Sequence, residues 1–350
     1  MVKAQSQLTS SKRIQRPSDD PGGTSRLLNL KAYLSRYERY EKNVDDASQW
    51  LIDAESALDG ILDVITDINN VMLQASNDTL SDAEREILAG QMYEFLEDLV
   101  QKLNQKSGDV YLFGGTNNDT PPYTLSNEVE DETFTAIHDE AVELQNAGVS
   151  EGSVVVTSID GLTQYTEDVD YTIDYENGTI TVLDSGSMAD ATDYLISYET
   201  ERTVIPILNP EGVDGALMRK IDEGVSIQIN IAADSVFSET NDLLDVVRQA
   251  ITALERNDED GIRETREYIE ENIDAVTRVM GEVGSKIGRI ELQKEKLAMN
   301  QINLKRVISS IEDADIASLV IEFQKEQLAY QAALSTAADI IQTSLLDYLQ

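Results

Sequence analysis

The sequence predicts an α+β fold, with a long antiparallel helical bundle formed by the two chain ends and an inserted antiparallel β domain in the middle. Three observations predict it. Apolar residues recur at alternating spacings of four and three near both ends of the 350-residue chain, as in helices that bury one continuous seam. Residues 107–201 contain no Lys or Arg but 21 acidic residues, and such a shift in composition marks a domain boundary. Inside that stretch, β-branched and aromatic residues alternate with polar ones, as in strands with one buried face.

Residues 1–20 read as the remnant of an N-terminal segment and a turn. The run Arg16-Pro17-Ser18-Asp19-Asp20-Pro21-Gly22-Gly23 cannot be helical throughout. Pro21 suits a first helical position, where no N–H donor is needed, with Asp20 as N-cap. Residues 21–123 form the N-terminal part of a helical rod. Ala47, Leu51, Ala54, Leu58, Ile61, Ile65, Ile68, Met72 and Ala75 make an unbroken heptad seam. Asn77, Asp78 and Thr79 supply turn chemistry. Ser81 and Glu84 then fit a capping box ahead of a second stripe, Leu88, Met92, Phe95, Leu99 and Leu103.

Residues 124–203 are the acidic β insert. Tyr171, Ile173 and Tyr175 alternate before Asn177-Gly178, and Ile180 and Val182 follow. Asn-Gly between alternating runs predicts a two-residue hairpin pairing Tyr175 with Ile180 and Ile173 with Val182. Val154–Val156 and Tyr194–Tyr198 are further strands. Residues 204–240 form a small β element returning to the rod, with Ile227, Ile229 and Ile231 alternating. Residues 241–312 are the C-terminal part of the rod. Their seam runs Ile269, Ile273, Val276, Met280, Val283, Ile287, Ile290, Lys294, Leu297, Gln301, Leu304, Ile308 and Ile311, a helix of roughly 70 Å at 1.5 Å per residue. Residues 313–350 are a C-terminal helix.

Composition excludes much chemistry. With 27 Lys+Arg against 66 Asp+Glu, the net charge is −39, which argues against nucleic-acid partners and anionic membranes. Cysteine is absent and His138 is the one histidine, so thiol chemistry and two-histidine zinc motifs are excluded. Neither a membrane-spanning apolar run of ~18 residues nor a cleaved signal peptide is evident. Asp168-Val169-Asp170 fails the calcium-loop pattern, because that loop needs a ligand at its fifth position and Gly at its sixth. His138 with Asp139 and Glu140 reads as a solvated cluster. Glu130, Asp131 and Glu132 lack an apolar pocket that would raise a pKa. Gly114-Gly115 is no phosphate loop. No catalytic residue, metal or cofactor is expected, and the chain reads as a structural protein rather than an enzyme.

Three segments carry a resemblance. Ser10-Ser11-Lys12-Arg13-Ile14, continuing through Pro17, Asp19, Asp20 and Pro21, resembles the N-terminal S-G-K-R-I…D-D-P signature of the flagellin superfamily. Ile311-Glu312-Asp313-Ala314-Asp315-Ile316-Ala317 is similar to its C-terminal signature. Between them, Phe113-Gly114-Gly115-Thr116 through Asp119-Thr120-Pro121-Pro122-Tyr123 resembles the hook–filament junction branch of that superfamily. Ser11 stands where the family often has Gly.

The resemblance implies a structural flagellar protein, extracellular and exported by the flagellar secretion apparatus. Implied partners are further copies of itself in a ring, a neighbouring hook-associated protein, flagellin and an export chaperone. It would join hook to filament and template flagellin polymerisation. The family carries a longer helix ahead of the first signature, so Met1 is expected to be either an artificial or an internal start of a longer native chain. The last helix, residues 313–350, to which the resemblance gives a polymerisation role, would then lack its partner and be poorly ordered in the monomer. Its residues Leu319, Phe323, Leu334, Ala337, Ile341, Leu345 and Leu349 are the subunit-interface candidates. Two other readings stay open. One is a bulk flagellin. The other is a glycan-binding insert that presents Tyr165, Tyr171, Tyr175, Tyr194 and Tyr198.

Overall fold

The computed structural model describes residues 2–77, 80–202, 205–209, 211–237 and 241–348, and all of their side chains except those of Val2, Asp234 and 338–348. Asp78, Thr79 and Leu349 lie outside the described residues, and Ile341 and Leu345 outside the described side chains. The helices are α1 (Val2–Ser10), α2 (Pro21–Ala75), α3 (Asp82–Leu103), α4 (Leu243–Glu255), α5 (Glu259–Glu312) and α6 (Ile316–Tyr348). The strands are β1 (Lys106–Ser107), β2 (Val110–Tyr111), β3 (Tyr123–Ser126), β4 (Glu128–Thr135), β5 (Ala141–Glu143), β6 (Val155–Ser158), β7 (Gln164–Tyr165), β8 (Tyr171–Asp174), β9 (Thr179–Val182), β10 (Asp193–Glu199), β11 (Ile205–Leu208), β12 (Met218–Asp222) and β13 (Val225–Gln228). The chain is thus α+β, with long terminal helices and a middle antiparallel β domain. Among the described residues, no helix is long and apolar enough to cross a membrane.

Two compact units divide the chain. A terminal unit comprises Met1–Asp45, Lys220–Val225 and Glu291–Gln350, and a central unit comprises Asp46–Arg219 and Ser226–Ile290. In the terminal unit, α2 and α5 run antiparallel. Lys31 meets Glu312, Gln301 Nε2 donates to Glu41 at 2.9 Å, and Lys294 pairs with Asp45 at 2.7 Å. Gln301 is buried in its seam, whereas Lys294 is exposed beside Asp45.

In the central unit every residue of the first heptad seam, Ala47 through Ala75, is buried, as are Leu88, Met92, Leu99 and Leu103 of α3. Each large side chain so enclosed contributes on the order of 1.5–3 kcal/mol. At the start of α3, the Glu84 carboxylate accepts from the Ser81 N–H and hydroxyl, both at 2.8 Å. One polar cross-link ties α3 to the start of α5. Arg85, itself buried, donates to Asn257 and pairs with Glu259. Nearby, the Tyr93 hydroxyl donates to Glu255 at 2.7 Å.

The insert is built from two sheets of strand order β4-β10-β6-β7 and β5-β9-β8, around a core that includes Phe134, Val156, Tyr171, Ile180, Val182, Met188 and Ile196. The expected two-residue hairpin needs correction. Tyr171 pairs with Val182 and Ile173 with Ile180, which leaves a four-residue loop, 175–178. A two-residue I′ turn needs φ > 0 at both central positions, and here only Gly178 has it, at φ 60. Asp174 closes the loop by accepting from the Asn177 N–H at 3.1 Å and side-chain amide at 2.9 Å. Glycine is needed at 178 because a Cβ would lie 2.0 Å from the Asn146 carbonyl. The slip is two residues, so the same face stays inward.

A β-bulge changes a second expectation. Ile196 pairs with Glu132 but Tyr198 pairs with Val129, so β4 holds one extra residue, with Asp131 at φ 55. The bulge reverses the inward phase. Val129 faces the core before it, and Glu132 and Phe134 after it. Glu132 is therefore 7% exposed rather than solvated, and burial pushes its carboxyl above the ordinary range. The Tyr198 hydroxyl and the Gln145 N–H donate to it, both at 2.7 Å.

Nor do the tyrosines form an exposed patch. Tyr171, Tyr194 and Tyr198 are buried, and Tyr165 and Tyr175 are half-buried against the same core. Tyr165, Tyr171, Tyr194 and Tyr198 lie on strands of the two sheets that enclose this core, and Tyr175 packs against it from the loop after β8.

Candidate functional site

The two terminal signatures, about 300 residues apart in sequence, meet in the terminal unit. The segment after α1 runs antiparallel to the α5–α6 junction, with Lys12 bridged to Asp313. The Arg13 N–H donates to the Glu312 carbonyl at 2.7 Å, and the Ala314 N–H to the Ser11 carbonyl at 3.1 Å. The Arg13 guanidinium donates to the Ile311 carbonyl at 2.8 Å, capping the last turn of α5. Beneath this, Glu312 is buried and accepts from Lys12 Nζ at 2.5 Å, with Lys31 Nζ of α2 at 2.8 Å. Burial alone would raise the Glu312 pKa, but the two ammonium groups outweigh it and hold the carboxyl below the usual range.

The remaining N-terminal signature residues fix the turn itself. Asp19 accepts from the N–H groups of Gln15 and Arg16 at 3.1 and 3.0 Å, which lowers its pKa. Ile14 is buried, and Pro17 lies in the exposed turn between. Asp20 accepts from the Gly23 N–H at 2.8 Å with Pro21 opening α2, the N-cap arrangement expected of that pair. Asp315 does the same for α6, accepting from Ala317 and Ser318 N–H at 3.0 and 3.3 Å. Asp313 accepts from Ser309. Ser11 takes φ 57, the left-handed region that favours glycine. That geometry accounts for the glycine usual there in the resembling family.

From this joint α6 departs with α1 packed on its first turns. Leu319 is buried there with Ala4 of α1, and Phe323 is half-buried. Beyond them Leu334 and Ala337 are exposed, together with Val320, Ile321, Leu328 and Tyr330. Of the interface candidates with described side chains, only Leu319 is therefore enclosed within the chain.

The middle signature belongs to the central unit. Gly115, at φ 60, sits so close to the next loop that a Cβ would fall 1.9 Å from the Val213 carbonyl. Thr116 donates its N–H to the Asp214 carbonyl at 3.0 Å. Gly114 bridges Ala232, and the Pro122 carbonyl accepts from Asn209 at 2.9 Å, with the Pro121 carbonyl 3.4 Å from the Asn209 amide. The signature stitches residues 113–122 to 209–232.

Lys31 carries no local signal in the sequence. It becomes part of the joint only because α2 and α5 pair in this register. Among the described residues, no group of three or more His, Asp or Glu side chains could hold a metal ion. The joint offers a buried carboxylate paired with two half-exposed lysines, a capped helix start and a partly apolar helix, which are means of holding and packing.

Residues 1–118 match the bacterial flagellin N-terminal helical region, and residues 267–349 the bacterial flagellin C-terminal helical region. Residues 114–217 match a family described as a protein of unknown function. Flagellar hook-associated protein 3 of Escherichia coli K12 is 29% identical over 119 residues, 34% of this chain and 38% of that protein. Its counterpart in Salmonella typhimurium LT2 is 28% identical over 123 residues, 35% of this chain and 39% of that protein. The aligned stretches thus span well under half the length of these curated relatives. In fold, the chain is similar to a solved Vibrio parahaemolyticus structure described as that of a flagellar hook-associated protein. The TM-score is 0.55 at 15% identity, covering 84% of this chain and all of that one.

Proposed function

Since this chain belongs to the flagellin superfamily, as a protein of the hook-associated protein 3 type, we propose that it is a structural component of the bacterial flagellum that joins hook to filament. Copies of the chain assemble as a ring, receive a neighbouring hook-associated protein on one side and present a packing surface for flagellin on the other. The work is done by shape and burial, with no reaction. The observation that carries this reading is the joint at Glu312, which holds the first and last helices together while leaving Ile321, Leu328 and Leu334 of α6 uncovered. Neighbouring copies would cover them, each large side chain contributing on the order of 1.5–3 kcal/mol. Export through the flagellar secretion apparatus, with a dedicated chaperone shielding α6 beforehand, fits the same surface.

Complementation tests the reading. In cells lacking the native gene, re-expression should restore filaments and stop flagellin leaking into the medium. Continued leakage with normal expression and export of the chain would overturn it. If the chain instead dominates sheared filaments by mass, it is a bulk flagellin, and the junction role fails.

A further inference from the structure

The ring of His138 lies between two hydrogen-bond acceptors. Nδ1 is 3.1 Å from a carboxylate oxygen of Asp184, and Nε2 is 2.9 Å from the carbonyl oxygen of Met188. A neutral imidazole has one N–H and can satisfy only one of them, whereas imidazolium donates to both. Both acceptors sit on the strap of residues 183–190 that follows β9. Met188 plugs the strap into the core. The Ser187 N–H and hydroxyl donate to Asp170 at 2.8 and 2.7 Å, and the Ala189 N–H to the Tyr194 hydroxyl at 2.6 Å. At the other end the backbone is tied by the Leu183 N–H to the Asp170 carbonyl at 2.9 Å and the Gly186 N–H to the Leu183 carbonyl at 3.0 Å, while the Asp184 carboxylate is held by the His138 ring and its N–H makes a 3.4 Å contact to Asp139.

We propose that His138 is a pH-dependent pin for this strap, tying both Asp184 and Met188 while charged and releasing Asp184 when it loses its proton. The charged groups around the ring are all carboxylates: Asp184 and Asp190 on the strap, the latter accepting the His138 N–H at 3.0 Å, and the neighbouring Asp139. No Lys or Arg occurs between residues 107 and 201 to oppose them within the insert. The Met188 carbonyl acts most strongly to raise the imidazole, burial opposes it next, and the Asp190 and Asp184 carboxylates add to the Met188 effect, so that the ring is held above its ordinary range. The raised value sets the sign. The pin is closed below about pH 6.5, the unperturbed histidine value, and opens as pH rises through the raised folded value.

A chain with one histidine gives one imidazole signal, so the full chain labelled with ¹⁵N-histidine is the sample. The expected titration midpoint lies above 6.5, with the two ring nitrogens near-equivalent below it. The amide signals of Asp184 and Gly186 should move with the same midpoint. Asp184→Asn is the matching variant, because that carboxylate is 77% exposed and its loss leaves the core intact. It should lower the midpoint and abolish the movement of the strap amides. A midpoint at or below 6.5, an unchanged midpoint in the variant, or strap amides indifferent to the titration would each overturn the pin.

Discussion

Glu312 accepts from two lysines on different elements, and its neighbour across the joint, Ser11, holds a left-handed backbone. These two residues make separate predictions. Ser11→Gly should stabilise the terminal unit by about 0.5–1 kcal/mol, because glycine enters the left-handed region without the Cβ penalty. A rise in urea midpoint at unchanged m-value reads it, and a fall would contradict it. Glu312→Ala should cost about 1–2 kcal/mol. That is less than the ~3–5 kcal/mol of a fully buried broken pair, because Lys12 and Lys31 are about half exposed and water recovers part of the loss. The same contact is acid-sensitive. Glu312 has a lowered folded pKa, so its contribution is present above about pH 4.5, the ordinary glutamate region, and is lost as pH falls through the lowered value. The Lys12 and Lys31 Nζ environments, followed by NMR, should change in that window in wild type and be flat in the variant.

At the scale of elements, the seams and strands differ in what fixes their inward phase. The α2 seam is local periodicity. Leu58 is fully buried and Leu28 is 63% exposed on the same helix. Leu58→Ala should cost about 2–5 kcal/mol and Leu28→Ala less than about 0.5 kcal/mol. Equal losses in denaturant unfolding would mean that the seam is misplaced. In β4 the phase is set by the bulge, and Glu132 is its consequence. Its raised folded pKa reverses the sign found at Glu312. The contribution is present below about pH 4.5 and is lost as pH rises through the raised value. Glu132→Gln should flatten the part of the Tm-against-pH curve that this group contributes above about pH 4.5. A slope unchanged from wild type would show that Glu132 is not the titrating group.

Across the whole molecule, acid therefore acts oppositely on the two units, loosening the terminal joint while relieving a buried carboxylate in the central unit. Salt acts on the insert. With 21 acidic and no basic residues in 107–201, self-repulsion opposes folding there. Raising ionic strength from 0.01 to 1 M shortens the screening length from ~30 to ~3 Å. The Tm of the central unit should rise over that range, and a Tm indifferent to salt would refute the charge argument.

What could be read in the chain alone follows the range of the interaction. Heptad seams, the Asp20–Pro21 helix start and the Ser81–Glu84 cap depend on residues within one or two turns, so their positions were legible. The terminal signatures named the residues of the joint but could not show that Lys31 completes it. The Asn-Gly pair located a turn but not its length, since Asp174 and the approach of Asn146 to Gly178 decide the register. Glu132 looked solvent-facing because its side of the sheet depends on a bulge, and whether the five tyrosines pack inward or line a surface patch depends on which sheet covers them. The sequence by itself thus determined the α+β order, the family and where helices begin. Tertiary structure alone decided which carboxylates are buried, which tyrosines are core and where the chain ends join. Those choices arise from pairing between segments tens to hundreds of residues apart, and no local pattern encodes such a register.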